Sequence, residues 1–374
     1  MGAQEKIARL RELVRKCYGA VASKNGIVPE VGERNMENLP NAIASTHDTL
    51  EELTITQNGE YTPQEGVDGF SKVVANVVPT KRVKVSLFRV TNKCINEDGI
   101  WEGENLIDTS LITTMATYFD GLSIKEIDVS GWDTSKVTNF LSTFRCPNLN
   151  TVKGKLDISG ADVITSIFQN CHSLTTIDTS NWSFHERLTS ITNIFSACES
   201  LQYIDVSNWN TGNISLFGSA FYNIGKSLIG DNYVTLDVSK WDMKNSVNLD
   251  SMFGSFHKIK ELDLRGWEVP NVTSTSGMFG YTSPQLTRKL VTLIGGETIE
   301  NVLANGTTAM KDLKVGLTIA AFPEIDRASL RAIINGLADL TGQTAQPLTL
   351  GATLMAKLTE EDIAIATSKN WTIV

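Results

Sequence analysis

A short phrase keeps returning in this chain: an aspartate between two aliphatic residues, usually with a serine two places on and a tryptophan four places on. It reads IDVSGW (127–132), LDISGA (156–161), IDTSNW (177–182), IDVSNW (204–209), LDVSKW (236–241) and LDLRGW (262–267). The aspartates, Asp128, Asp157, Asp178, Asp205, Asp237 and Asp263, stand 29, 21, 27, 32 and 26 residues apart. A phenylalanine follows at +16 (Phe144, Phe221, Phe253, Phe279), +17 (Phe195) or +11 (Phe168). Five to seven places later comes an aliphatic residue: Leu149, Leu174, Leu201, Leu228, Ile259 or Leu286. Self-similarity at this period marks a repeat architecture, in which each unit buries its apolar side only against its neighbours.

The local chemistry of one unit follows from its pattern. Apolar–Asp–apolar–Ser alternates with period two, so Ile127 and Val129 should face inward and Asp128 and Ser130 outward on a short strand. Gly131, Asn181, Asn208 and Gly266 stand where the chain leaves the strand and suit the backbone angles of a turn. Val137, Phe140, Leu141 and Phe144 then fall at helical offsets, which predicts a short helix or 3₁₀ segment against the strand. Six stacked units would make an α/β solenoid, with a parallel strand ladder on one face, short helices behind it and a continuous core between.

Composition removes several partners. The net charge is −9 and the acidic groups are dispersed. Nucleic-acid binding needs a basic patch, and the cluster Lys81-Arg82-Val83-Lys84 is too small to supply one. No run approaches 18 apolar residues, so no membrane insertion is expected. The start, MGAQEKIARLRELVRK, lacks the apolar core of a secretory signal, which points to synthesis in a reducing cytoplasm. The five cysteines form no C-x-x-C pair, which argues against a zinc site, and no cofactor motif is present. Cys146, Cys171 and Cys198 share one repeat position, where they are either small buried apolar groups or close enough in neighbouring rungs for a disulfide.

The phrase DVSGWDTSKVTNF, followed by Phe, Cys and Leu, resembles the BspA-like leucine-rich repeat of bacterial surface proteins and phage virion proteins. The resemblance covers residues 113–294 and implies a leucine-rich-repeat solenoid. Three units depart from it. The second is short and has Ala161 for Trp, the sixth has Arg265 for Ser, and the fourth carries an insertion near GKSLIGDNYV (225–234).

The flanks read as separate segments. In residues 1–50, an amphipathic helix over 3–23 places Ile7, Leu10, Val14, Cys17 and Val21 on a coiled-coil seam. That helix either docks on its own chain or joins copies as a dimer or trimer. A second short helix is expected near 36–45. In residues 51–80, Asn58-Gly59 signals a hairpin between a strand at 53–56 and Tyr61-Thr62, with a further strand at 72–78. The segment LTITQNGEYTPQEGVDGFSKVVANVV resembles a module recurring in phage tail and fibre proteins. Residues 81–125 should hold strands and the solenoid's N-terminal cap, residues 126–294 the repeats, and residues 295–374 atypical closing repeats. In the last, helices are expected over 326–341, capped by Asp326, and after Thr359, with strands at PLTLG and WTIV.

Catalytic patterns are missing: none of the four histidines (His47, His172, His185, His257) stands beside a nucleophile motif. The sharpest candidate is the outward column Asp128, Ser130, Asp178, Ser180, Asp205, Ser207, Asp237, Ser239, Asp263 and Arg265. Three readings of it compete. The aspartates accept hydrogen bonds from the serines and turn N–H groups; or the face binds a polar ligand such as a glycan; or it holds calcium, although no D-x-D-x-D spacing supports a dedicated site. Arg265 would relieve like-charge repulsion at the end of the column. The tryptophans Trp132, Trp182, Trp209, Trp241 and Trp267 would either stack on sugars or seal the core, and an exposed row of five argues for burial. The resemblances together imply a non-enzymatic virion protein, a head or tail fibre. It would meet other virion proteins through its N-terminal region and display its repeats toward a host-surface glycan or protein. The alternative is a bacterial cell-surface adhesin or interaction scaffold of the same repeat family.

Overall fold

The computed structural model describes residues 98–99, 107–280 and 290–374, and the backbone of four strands, Glu51–Ile55 (β1), Glu60–Tyr61 (β2), Phe70–Ala75 (β3) and Val83–Val85 (β4). Two compact units divide the chain, residues 1–160 and 161–374. The expected helices over 3–23 and 36–45, with the seam Ile7, Leu10, Val14, Cys17 and Val21, lie outside the described residues.

In the first unit β1 pairs in parallel with β3, and β2 in parallel with β4. The antiparallel hairpin expected across Asn58-Gly59 is therefore corrected to two parallel pairings. Alternation at 53–55 fixes a strand and its facing but not its partner, and the connection over residues 56–69 is long enough for a parallel crossover. β4 also pairs with Ile107–Asp108 (β5). Next, Glu126–Asp128 (β6) and Thr151–Lys153 (β7) pair in parallel, with Ile127 opposite Val152 and Asp128 opposite Lys153.

That register corrects the second repeat. Its strand is TVK and not LDIS, so Lys153 holds the place expected for Asp157. Asp157 belongs instead to a later turn. Its carbonyl accepts from Thr134 Oγ1 at 2.6 Å, as the carbonyl of Asp242 accepts from Thr211 Oγ1 at 2.9 Å in another repeat. Gly154 permits the bend after the strand: its φ is +82°, and a Cβ there would lie 2.5 Å from the Ser130 nitrogen.

Opposite the strands, the expected helices are replaced by a second ladder of turns. Met115, Thr117, Phe119 and Gly121 donate their N–H groups to the carbonyls of Asn139, Leu141, Thr143 and Arg145 on the next rung, at 2.8–2.9 Å. The intervening N–H groups of Tyr118, Asp120 and Leu122 reach back three residues. Left-handed residues such as Thr117 (φ 60°) and Ser142 (φ 53°) stop the chain from continuing as a helix. Overlapping three-residue turns bring every third or fourth side chain inward, which is why the spacing looked helical. Val137, Phe140 and Phe144 are buried, whereas Leu141, counted in the same stripe, is exposed.

The second unit repeats this plan. Thr176–Ile177 (β8) pairs in parallel with Tyr203–Ile204 (β9), and Tyr203 bridges to Thr235. The turn ladder runs through Ser190, Leu216, Asn248 and Ser274. Between the two ladders lie two aromatic columns. Phe168, Phe195, Phe221, Phe253 and Phe279 stack with successive ring centroids 5.7, 6.2, 6.1 and 5.8 Å apart. Trp182, Trp209, Trp241 and Trp267 do the same at 5.5, 5.7 and 6.4 Å. These spacings suit offset-stacked rings.

From residue 299 the rungs give way to helices: Ile299–Asn305 (α1), Arg327–Gly336 (α2), Gly351–Met355 (α3) and Glu360–Ser368 (α4). Leu317–Thr318 (β10), Gln346–Thr349 (β11) and Trp371–Ile373 (β12) form a parallel sheet beside them. Asp326 caps α2 by accepting the Ser329 N–H at 2.7 Å, and Thr359 opens α4 with a capping box. α2 ends at Gly336, short of the expected 341, because Leu337 and Ala338 turn aside to pair with Leu313. Lys369 Nζ then donates to the carbonyls of Ile334, Asn335 and Leu337 at the helix end.

Candidate functional site, the outward strand face

The strand-end aspartates are placed by alternation. In the second unit Ile177, Ile204, Leu236 and Leu262 are buried, and the residue after each, Asp178, Asp205, Asp237 or Asp263, turns outward. Each carboxylate is partly committed within its own rung. The N–H groups of Ser180, Ser207 and Ser239 donate to the Oδ1 atoms of Asp178, Asp205 and Asp237 at 3.0, 3.1 and 3.0 Å. The hydroxyls of Ser207 and Ser239 donate to the same atoms at 2.7 Å. In the first unit Ser130 treats Asp128 in the same way. This is the local Asx-turn pattern, and it closes each strand.

Electrostatics follow from these contacts. The Ser130 hydroxyl, then its N–H, and further off Lys153, hold the Asp128 carboxyl below the usual aspartate value. The Ser239 hydroxyl and N–H do the same for Asp237. Where serine is absent, Arg265 substitutes. It donates from Nε to Asp263 Oδ1 at 2.9 Å and from Nη2 to Oδ2 at 2.6 Å, and its Nη1 reaches Glu297 Oε2 at 3.3 Å. Those two carboxylates push the Arg265 pKa upward, hydrogen bonding to Asp263 first.

The tryptophans do not belong to this face. Trp182, Trp209, Trp241 and Trp267 are buried, and the indole N–H groups of Trp241 and Trp267 donate to the carbonyls of Val206 and Val238, both at 2.9 Å. Trp132 is half-buried and stacks on Phe119 at 5.7 Å. The column seals the core, which removes the sugar-stacking reading of it. Cys146, Cys171 and Cys198 are buried free thiols, so the disulfide reading also falls. Cys146 and Cys198 donate S–H to the carbonyls of Phe119 and Phe168.

The described histidines are in local contacts. His172 Nδ1 donates to the Ala197 carbonyl, His185 Nδ1 accepts the Arg187 N–H, and buried His257 meets the Asn223 side chain at 3.0 Å. A polar hub that the sequence reading passed over is Glu199, which accepts from Asn223 Nδ2 at 3.2 Å and Lys226 Nζ at 3.0 Å. Tyr203 was passed over too: it stands on the outward face two residues before Asp205 and is 51 % exposed. Its sequence signal is that it is the one aromatic in a column otherwise filled by Glu126, Thr151, Thr176, Thr235 and Glu261.

The fold and face define a parallel-stranded α/β repeat protein whose rungs end in aspartate turns. Two stretches of the chain, residues 92–202 and 189–290, match the model of a family described as "Mycoplasma protein of unknown function, DUF285". Together they span more than half of the 374 residues, and the chain belongs to that family. No curated protein and no solved structure matches it.

Proposed function

We propose that the chain is a non-enzymatic display protein, a phage head or tail fibre whose repeats form a leucine-rich-repeat solenoid of the BspA-like kind and adhere to a host surface. The observation that carries the adhesion reading is the outward strand face of the second unit. Its backbone is paired at Thr176–Ile177, Tyr203–Ile204 and Thr235, while an exposed aromatic, hydroxyls and carboxylates are set out on it. A rigid scaffold carrying such a row suits binding better than turnover, which needs convergent groups in a cleft.

The virion placement rests on the resemblance of residues 53–78 to fibre modules and on the heptad-like apolar spacing in the sequence of residues 7–21, a segment that would join copies and meet other virion proteins. Antibodies raised against the purified protein should label intact virions. Labelling confined to the debris of infected cells overturns the placement. A second reading, a bacterial cell-surface adhesin or scaffold, is favoured by the family description, which names Mycoplasma. It predicts labelling of whole bacterial cells grown without phage.

A further inference from the structure

We infer that Tyr203 is the floor of a subsite for a neutral saccharide on the outward strand face of the second unit. This rests on the adhesion reading and names the chemistry of its ligand. Tyr203 makes no ring contact with the aromatic columns and is 51 % exposed, so it adds little to the core. Its neighbours across the two strand pairings are Thr176 and Thr235. The ring therefore stands half-exposed between two β-branched neighbours, with a face open to a ligand.

What surrounds the ring is specific. Among the described residues, the hydroxyls of Tyr203, Thr176 and Thr235 have no hydrogen-bond partner, and the Oδ2 atoms of Asp205 and Asp237 have none either, since each serine engages only Oδ1. An exposed aromatic face receives the C–H face of a pyranose, and uncommitted carboxylate and hydroxyl oxygens receive its O–H groups. The insertion of the fourth repeat ends at Thr235 and forms one border. It is pinned there, because Lys258 Nζ donates to the Gly230 carbonyl at 2.9 Å and Lys260 Nζ lies 4.3 Å from the Tyr233 ring centre.

Other occupants fit less well. Tyr203 is paired on both sides, so no free strand edge is offered to an added peptide strand. Asp205 and Asp237 repel an anionic sugar. Among the described residues no group of three metal-binding side chains converges, which disfavours a cation as the ligand.

The test uses the full chain on immobilised dextran, mannan, galactan and chitin oligomers, with sialyllactose and calcium chloride as controls. The variants are Tyr203→Thr, which installs the residue of the flanking rungs, and Tyr203→Trp, which keeps a stacking ring. The parent should bind at least one neutral glycan, Tyr203→Thr should weaken that binding about tenfold or more, and Tyr203→Trp should retain it. Equal binding by Tyr203→Thr, preference for sialyllactose, or binding of none of the neutral glycans overturns the subsite. Adhesion of the same proteins to bacterial envelope fragments separates the two readings. If the parent and Tyr203→Thr adhere equally, the subsite falls and adhesion stands. If the parent binds neutral glycan but no envelope, the subsite stands and adhesion falls.

Discussion

Replacing Phe195 tests the packing that holds the strand face flat. Phe195 is fully buried, and its ring centre lies 5.7 Å from Phe168, 6.2 Å from Phe221, 6.2 Å from Trp182 and 6.4 Å from Trp209. It thus touches both aromatic columns, with two rings of each. Phe195→Ala removes a whole buried ring and leaves a cavity, for which core substitutions cost about 3–5 kcal/mol. Phe195→Leu keeps much of the volume and loses the stacking, so its cost should lie between the repacking cost of about 1.5 kcal/mol and the larger cost of the alanine variant. Urea unfolding followed by tryptophan fluorescence should rank parent above Leu above Ala. A double-mutant cycle with Phe221→Leu should show coupling, because the two rings touch, whereas a cycle with Thr341→Ala should be additive. If Phe195→Ala costs under about 1 kcal/mol, the columns are not the core of the unit. If Phe195→Leu matches the parent, volume alone stabilises the stack.

Three further outcomes follow from individual contacts. Burial alone would raise the Asp362 carboxyl, but hydrogen bonds from Arg327, the Thr359 N–H, Arg331 and the Thr359 hydroxyl more than offset it and hold it well below the usual value. Its contribution to stability is therefore present above the ordinary aspartate pKa and fades as pH falls below about 4; Asp362→Asn should cost about 3–5 kcal/mol near neutrality and flatten that acid limb in urea titrations. Ser239→Ala removes the first support of the low Asp237 pKa, so a carboxylate NMR titration should move that group up toward its ordinary value, with a stability loss of about 0.5–1.5 kcal/mol. Native alkylation followed by mass spectrometry should leave Cys146, Cys171 and Cys198 unmodified until denaturant is added, and prompt labelling of any of the three would contradict their burial.

The strand side of each rung was legible because period-two alternation has one physical cause: a residue between two buried neighbours must face out. Hence Asp178, Asp205 and Asp237 stand where the pattern put them. The opposite side misled, because buried positions three and four apart satisfy a helix and a chain of overlapping turns equally well. Only the destination of the N–H groups of Met115, Thr117, Phe119 and Gly121, to the next rung instead of four residues back, separates the two. Asp157 misled for another reason. Strand end and later turn both use an aspartate that accepts an N–H two residues on, so the motif LDIS matched by its turn chemistry and not by its place in the ladder. At the face, the serine partners were foreseen. Tyr203 was not, because a repeat pattern shows what the rungs share and Tyr203 departs from its column.

That contrast bears on where binding energy resides. A column occupied alike on every rung is explained by the demands of the rung: the aspartates close turns, the tryptophans and phenylalanines fill the core, and the cysteines donate to carbonyls. Substituting one of these tryptophans, phenylalanines or cysteines should change stability before it changes recognition, since each is held by contacts inside the chain. On the proposed adhesion reading, recognition would come from groups whose polar atoms the rung leaves unused. In the second unit these are the Oδ2 atoms of Asp205 and Asp237 and the hydroxyls around Tyr203, bordered by an insertion carried by the fourth repeat alone. Were the face to bind as proposed, the regular ladder would supply a pre-ordered floor at little entropic cost, and the single irregular rung would give that floor its address.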